Sequence, residues 1–245
     1  MIGSIVHRIH ETDSTNNYAA NQLLTKRLPE GVVFIADSQI DGRGQASNRW
    51  ESEPGKNLTF SILLYPEFLE ISRQFELSKA ISLGVADFLN EKTLNVSIKW
   101  PNDIYLENRK VAGILIENSI RINKISSSIV GIGLNINQKI FMSDAPNPVS
   151  LSQMTGLDYN LEESLSNLCL KIDTRYGQLC KGRFSQIDHD YTQILYRKGI
   201  WARYSDNNGD FEGKILGVDS IGQLQIGTKS GEINKYQFKE VSFSL

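Results

Sequence analysis

A glycine-flanked arginine, Gly42-Arg43-Gly44, lies between two runs of strand character. Upstream, Val32 to Asp37 is a dense run of β-type apolar residues. Downstream, past a Pro54-Gly55 turn, Leu58, Phe60, Ile62 and Leu64 alternate as strand residues do. Two glycines around an arginine let the backbone approach a ligand and turn N–H groups toward an anion, while the guanidinium closes over it. On its own, a GxG segment reads better as a solvated loop between two strands. It lacks the third glycine of a dinucleotide fingerprint and the GK[ST] of a Walker-A loop, so any anion is held by another route.

The rest of the chain reads as an α+β protein. With 245 residues there is enough chain for one full core and a small second domain. Residues 2–9 read as a strand, and Thr12-Asp13-Ser14-Thr15-Asn16 as the start of a helix from Asn16 to Lys26. Helical spacing recurs from Ser72 to Glu91. Asn95 to Lys99 is a strand that stops at Trp100-Pro101, because proline forbids a continued central strand. Val111 to Glu117 and Ile125 to Asn135 read as strands, Ala145-Pro146-Asn147-Pro148 as a loop, and Leu161 to Lys181 as a helix opened by Asn160 and Glu163. After Lys198 the texture changes to short β-type runs, Trp201–Tyr204, Phe211–Val218, Gln223–Gly227 and Ile233–Phe238, separated by turns. Strands this short suggest a small barrel of roughly 45 to 50 residues. Residues 1–197 and 198–245 are therefore the expected domains.

Charge and cysteine content narrow the function. A net charge of −2 leaves no electrostatic footprint for nucleic acid. The apolar runs are strand length, so no membrane partner is expected, and the charged first 15 residues contain no apolar leader. Cys169 and Cys180 lie on one predicted helix, which argues against a bond between them and fits a cytoplasmic location. His7, His10 and His189 form no metal-ligand grouping, and no GxSxG elbow occurs.

Two further motifs carry chemistry. In Lys99-Trp100-Pro101-Asn102-Asp103, the proline presents Asn102 and Asp103 at a strand end. A hairpin through Glu107-Asn108-Arg109 would return Lys110 and Gly113 to that end. A lysine beside a carboxylate, an amide and a bound anion suits phosphoryl or acyl-phosphate chemistry. On spacing alone a surface hairpin with ordinary charges is the simpler reading. Gly131-Ile132-Gly133-Leu134-Asn135 is either a strand whose backbone meets a ligand or a bulge.

Taken in order, these motifs resemble the biotin–protein ligase (biotin–[acetyl-CoA-carboxylase] ligase) family. The resemblance rests on Asp13-Ser14-Thr15-Asn16, Gln39, GRGQ at 42–45, Trp50, PGKNL at 54–58, KWPND at 99–103, Lys110 with Gly113-Ile114-Leu115, and GIGLN at 131–135. It implies a class II synthetase-like catalytic domain, a mixed sheet with packed helices, and an SH3-like C-terminal barrel. The implied reaction joins the biotin carboxylate to the α-phosphate of ATP, giving biotinyl-5′-AMP and pyrophosphate. A lysine of a biotin carboxyl carrier domain then attacks the mixed anhydride and releases AMP. The resemblance assigns Ser14, Thr15, Gln39, Gly42, Arg43, Lys110 and Gly113 to biotin. It assigns Arg43, Gln45, Trp50, Asn102, Lys110 and Asn135 to the nucleotide, and Lys110, Arg43 and Asp103 to catalysis. Arg43 is the implied anion clamp. ATP with Mg²⁺, biotin, the carrier protein and a homodimeric partner are implied; nucleic acid is not.

The family pattern is usually GRGRxGRxW or GRGQRGNxW, whereas this chain reads GRGQASNRW, with Ala46 and Ser47 in place of Arg-Gly. That change bears on retention of the adenylate. Some relatives carry an N-terminal helix-turn-helix domain, for which about a dozen residues before Ser14 leave no room. The alternatives are a lipoate-type protein ligase, whose histidine-containing motif is missing, and a biotinyl-AMP-binding regulator without turnover.

Overall fold

The computed structural model describes residues 1–45, 48–143 and 146–243. Ala46, Ser47 and Ala145 lie outside the described residues. Seven strands form the main sheet: β1 Val6–Thr12, β2 Val33–Gln39, β3 Leu58–Leu64, β4 Val96–Lys99, β5 Asp103–Leu106, β6 Arg109–Arg121 and β7 Lys124–Leu134. Their order is β1-β2-β3-β7-β6-β5-β4. β1 and β2 run parallel and the other neighbours antiparallel. A parallel pair needs a crossover, and α1 (Thr15–Thr25) supplies it.

β3 divides the two faces. Leu58, Phe60, Ile62 and Leu64 point into the main core with Val33, Ile35, Val130 and Ile132. Leu63 belongs to the other face, in a smaller cluster with Ala19, Val32, Phe34 and Ile129 beside α1. The main core is covered by α2 (Phe75–Asn90), which is buried almost all round and therefore needs a layer on both sides. That outer layer is α4 (Leu161–Cys180) and α5 (Phe184–Gln193), with a single-turn α3 (Leu151–Thr155) preceding them. Cys169 is a core residue of α4, and burial pushes its thiol up to about 12.

The C-terminal strands are β8 Trp201–Asp206, β9 Gly209–Val218, β10 Leu224–Thr228, β11 Ile233–Tyr236 and β12 Val241–Phe243. They form an antiparallel sheet ordered β11-β10-β9-β8-β12. β11 and β12 are its two edges, so the ladder does not close into the expected barrel. Tyr204, Ile215, Leu224 and Ile226 continue the main core. Trp100 Nε1 donates to Gly222 O at 2.9 Å, fastening this sheet to the main one.

Several expectations shift. The first strand lies at Val6–Thr12 rather than 2–9 because it is a solvent-facing edge strand, and VHRIHET carries no apolar alternation to mark it. β5, α3, α5 and β12 are elements that apolar spacing did not reveal, each short or predominantly polar. β6 extends to Arg121, well beyond the apolar run ending at Glu117.

Helix packing gives a stability prediction. A Cβ on Gly84 of α2 would lie 2.7 Å from the Ile172 Cα of α4, a backbone atom that cannot step aside. Gly84→Val is expected to cost about 2–3 kcal/mol in urea unfolding. A loss under about 0.5 kcal/mol would show that the helices are not in this close contact.

Candidate active site

The cleft is built on sheet register. Across the α1-side face, Asp103 pairs with Gly113, Gly113 with Gly133, Gly133 with Thr59, and Thr59 with Ala36. One row along, Leu115 pairs with Gly131, and Gly131 with Ser61. Laterally paired residues share a face, so three glycines leave a patch of bare backbone in the middle of the sheet. Above it is a cleft of about 650 Å³ lined on one side by Ser14, Thr15 and Asn16 and on the other by Asp103 and Lys110.

Lys110 reaches this face because of a bulge. Ile104 pairs with Ala112 but Tyr105 pairs with Lys110, so β6 carries one extra residue, Val111. Strict alternation would place Lys110 and Gly113, three apart, on opposite faces. The extra residue restores Lys110 to the face of Gly113 and Asp103. Its Nζ lies 2.7 Å from Asp103 Oδ1 and 5.6 Å from the centre of the Trp50 ring. The backbone at Lys110 is held by Asn147 O, 2.8 Å from its N, and by Val149 N, 2.9 Å from its O.

The start of α1 forms the opposite wall. Ser14 is the N-cap, yet its side chain makes no capping bond. Gln39 Oε1 instead accepts from Thr15 N at 2.8 Å, so Gln39 does the capping. Thr15 Oγ1 lies 2.7 Å from Ser61 Oγ, which also lies 2.6 Å from Asn16 Oδ1. Asn16 sits directly over Gly131, where a Cβ would overlap its amide.

The glycine-arginine loop covers the floor. Trp50 N donates to Gly42 O at 2.8 Å and Gly44 N to Asn48 O at 2.7 Å, so residues 42–44 pair with 48–50. Trp50 lies on Gly113 and Gly133; a Cβ on Gly133 would overlap the indole, and one on Gly113 would come within 3.0 Å. The indole N–H is buried with no acceptor among the described residues. Arg43 donates to Glu117 Oε1 and to Asn17 Oδ1, each at 2.6 Å. The expected anion clamp is thus already paired with a carboxylate.

Trp50 and Lys110 also border a second cavity of about 340 Å³, which contains Asn135 and Pro148. Asn135 is buried; its Nδ2 donates to Val149 O at 3.1 Å, and its Oδ1 has no donor among the described residues.

Of the residues singled out from sequence, Ser14, Thr15, Gln39, Arg43, Gln45, Trp50, Asn102, Asp103, Lys110 and Gly113 line the main cleft. Asn135 lies on the second cavity, and Gly42 stands behind the wall with its carbonyl on Trp50. Asn102 Nδ2 donates to Ile114 O at 2.8 Å, tying the Pro101 turn to β6.

Sequence reasoning missed the roles of Asn16, Lys99 and Glu117, and missed the contribution of the C-terminal sheet. Lys99 Nζ donates to Tyr105 Oη at 3.1 Å and faces the Phe243 ring at 5.0 Å. Burial holds its ammonium below the usual lysine range, with the charge of Asp103 pulling it back up. Phe238, Lys239 and Phe243 close the far wall. Lys99 stood inside a quoted motif, whereas nothing in the C-terminal sequence marked its residues. Asp103 is the sole carboxylate residue on the main cleft among the described residues, against Arg43, Arg49, Lys99, Lys110 and Lys239. Arg43, Arg49 and Lys110 pair with the carboxylates of Glu117, Asp41 and Asp103. No group of three or more His, Cys, Asp or Glu suited to a metal occurs among the described residues.

Residues 9–135 match the biotin/lipoate A/B protein ligase family. A bifunctional ligase/repressor BirA of Bacillus subtilis is 30% identical over 228 residues, which cover 91% of this chain and 69% of that protein. A biotin–[acetyl-CoA-carboxylase] ligase of Paracoccus denitrificans is 30% identical over 231 residues, covering 90% of this chain and 93% of its own. The solved biotin protein ligase of Aquifex aeolicus in complex with biotin and ATP superposes with a TM-score of 0.81 at 27% identity, covering 98% of this chain and 99% of that one.

The floor gives a prediction that needs no ligand. Gly133→Ala should drive the Trp50 indole off the sheet and shift tryptophan emission to the red, with the fold retained. Emission identical to that of the parent protein would mean that the indole does not rest on Gly133.

Proposed function

The chain belongs to the biotin/lipoate A/B protein ligase family, and on that premise we propose that its cleft activates biotin with ATP and passes it to a carrier lysine. The observation that carries the reading is the place of Lys110. It borders both cavities, beside Asp103 and over bare backbone. Biotin lies over the glycine floor, with Ser14, Thr15 and Gln39 at its ureido end. The nucleotide base occupies the second cavity against Trp50 and Asn135. The two ligands meet at Lys110.

That placement suits the chemistry. A carboxylate and a triphosphate repel, so their approach needs cations. Lys110 supplies one where the biotin carboxylate oxygen bonds to the α-phosphorus and pyrophosphate leaves. Mg²⁺ arrives with ATP as part of the substrate. It keeps most of its shell from phosphates and water, which agrees with a cleft that offers Asp103 alone as a carboxylate residue among those described. In the second step the carrier amine, with a reference pKa of about 10.4, must lose its proton before it attacks the carbonyl and AMP departs. Asp103 stands beside the reacting carbonyl to orient that amine. Gln45 and Asn102 border the phosphate end, and Gly42 and Arg43 contribute backbone to the biotin wall.

Residues 1–197 form the ligase unit, and 198–245 the unit that closes the phosphate side through Lys239 and Phe243. The carrier is a biotin carboxyl carrier domain, and the setting is the cytoplasm. A homodimer remains part of this proposal.

Biotin-dependent ATP–pyrophosphate exchange tests the reading. The parent protein should exchange, and Lys110→Ala should lower the rate by about 10²–10³-fold, the usual effect of removing one charge-stabilising donor. No exchange in the parent with Mg²⁺ present, or full exchange in Lys110→Ala, would refute it. Exchange driven by lipoate in preference to biotin would move the chain to the other branch of the family.

A further inference from the structure

Glu117 belongs to none of the motifs, yet it is the residue on which the covering loop is tied down. It lies on β6 two positions beyond Leu115 and four beyond Gly113, and so at the edge of the bare floor. Its carboxylate accepts from Arg43 through both oxygens, at 2.6 Å and 3.3 Å. Oε2 also accepts from Asn16 Nδ2 at 2.8 Å. Arg43 in turn donates to Asn17 at 2.6 Å, and Asn17 donates to Asp13 at 2.5 Å. One carboxylate therefore joins the loop to the start of α1 and, through Asn16, to Ser61 and Gly131.

A single exposed ion pair contributes little, about 0.2–1 kcal/mol. This one is two-pronged, partly screened from water and shared with two buttressing amides, which is the setting in which such pairs hold geometry. Arg43 N–H and C=O groups and the Gly42 carbonyl that receives Trp50 then move with the guanidinium. If the guanidinium left Glu117 for a phosphate, the loop would lose this attachment at the moment the adenylate has to be shielded from water.

Resting on the ligase reading above, we infer that Glu117 is a positioning residue: it fastens Arg43, and through it the loop backbone, over the biotin floor, and the anionic groups are met by other cations. Glu117 touches no reacting atom. It sets where the loop backbone lies when biotin binds.

The test compares the full-length parent with Glu117→Gln, Glu117→Asp, Arg43→Gln and the Arg43→Gln/Glu117→Gln double variant. Without ligands, Glu117→Gln should raise trypsin cleavage after Arg49 by about 10-fold, the equivalent of one charge-assisted bond. Its KM for biotin should rise by a similar factor in pyrophosphate exchange, with the KM for ATP changed less than about twofold. Glu117→Asp, which keeps the charge, should fall between parent and Glu117→Gln, and the double variant should be no worse than Arg43→Gln alone.

A lower KM for ATP in Glu117→Gln would mean that the carboxylate competes with phosphate for Arg43, and would overturn the inference. So would losses that add in the double variant, or cleavage after Arg49 that is unchanged. Cleavage is read without biotin, so it reports on the staple even if the parent shows no exchange and the ligase reading itself fails.

Discussion

The site depends on a stretch of sheet that carries no side chains. Gly113 and Gly133 face one another across β6 and β7, and Gly131 lies one row along. A Cβ at Gly131 or Gly133 would collide with what lies above it, Asn16 or Trp50. The absence of side chains there is what lets a flat group lie against backbone in the middle of a sheet whose other residues are packed. Everything around this floor serves to border it: α1 starts over it, the glycine-arginine loop folds across it, and the C-terminal sheet closes the remaining side.

Charge is arranged on the same frame. The bulge at Val111 brings Lys110 to the floor side, where Asp103 keeps it in place at 2.7 Å. Lys99 is held within the wall by an aromatic ring and a phenol and not by a carboxylate, so its charge is left for the cleft. Trp50 occupies Gly113 and Gly133 directly beneath Lys110, and its indole N–H has no acceptor among the described residues. A ligand that takes this part of the floor must exchange places with the indole. Arg43 stays fastened to Glu117 at the other end of the loop.

Much of this was legible in the sequence, because motifs with unusual residues mark places where backbone and ligand meet. Alternation fixed β3 to the residue, and helical spacing located α2 and α4 closely. The short distance from KWPND to Lys110 implied the hairpin that brings the Lys110 ammonium to the Asp103 carboxylate. What stayed hidden has physical reasons. A KxxG spacing on a strand predicts opposite faces, and only the pairing register discloses the extra residue. Glu117 looks like any polar residue at the end of an apolar run, since its partners are 74 and 101 positions away. β1 is a charged edge, α5 is ten residues long with only Phe184, Ile187 and Tyr191 to mark its apolar face, and the last five strands pair without closing a ring.

The most direct test of a reaction carried out over bare backbone fills the floor. An apo carrier domain incubated with biotin, ATP, Mg²⁺ and the protein should gain the mass of one biotinyl group on a single lysine. With Gly113→Val, correctly folded by circular dichroism, the carrier mass should stay that of the apo form. A carrier left unmodified by the parent protein, or fully modified by Gly113→Val, would contradict the account.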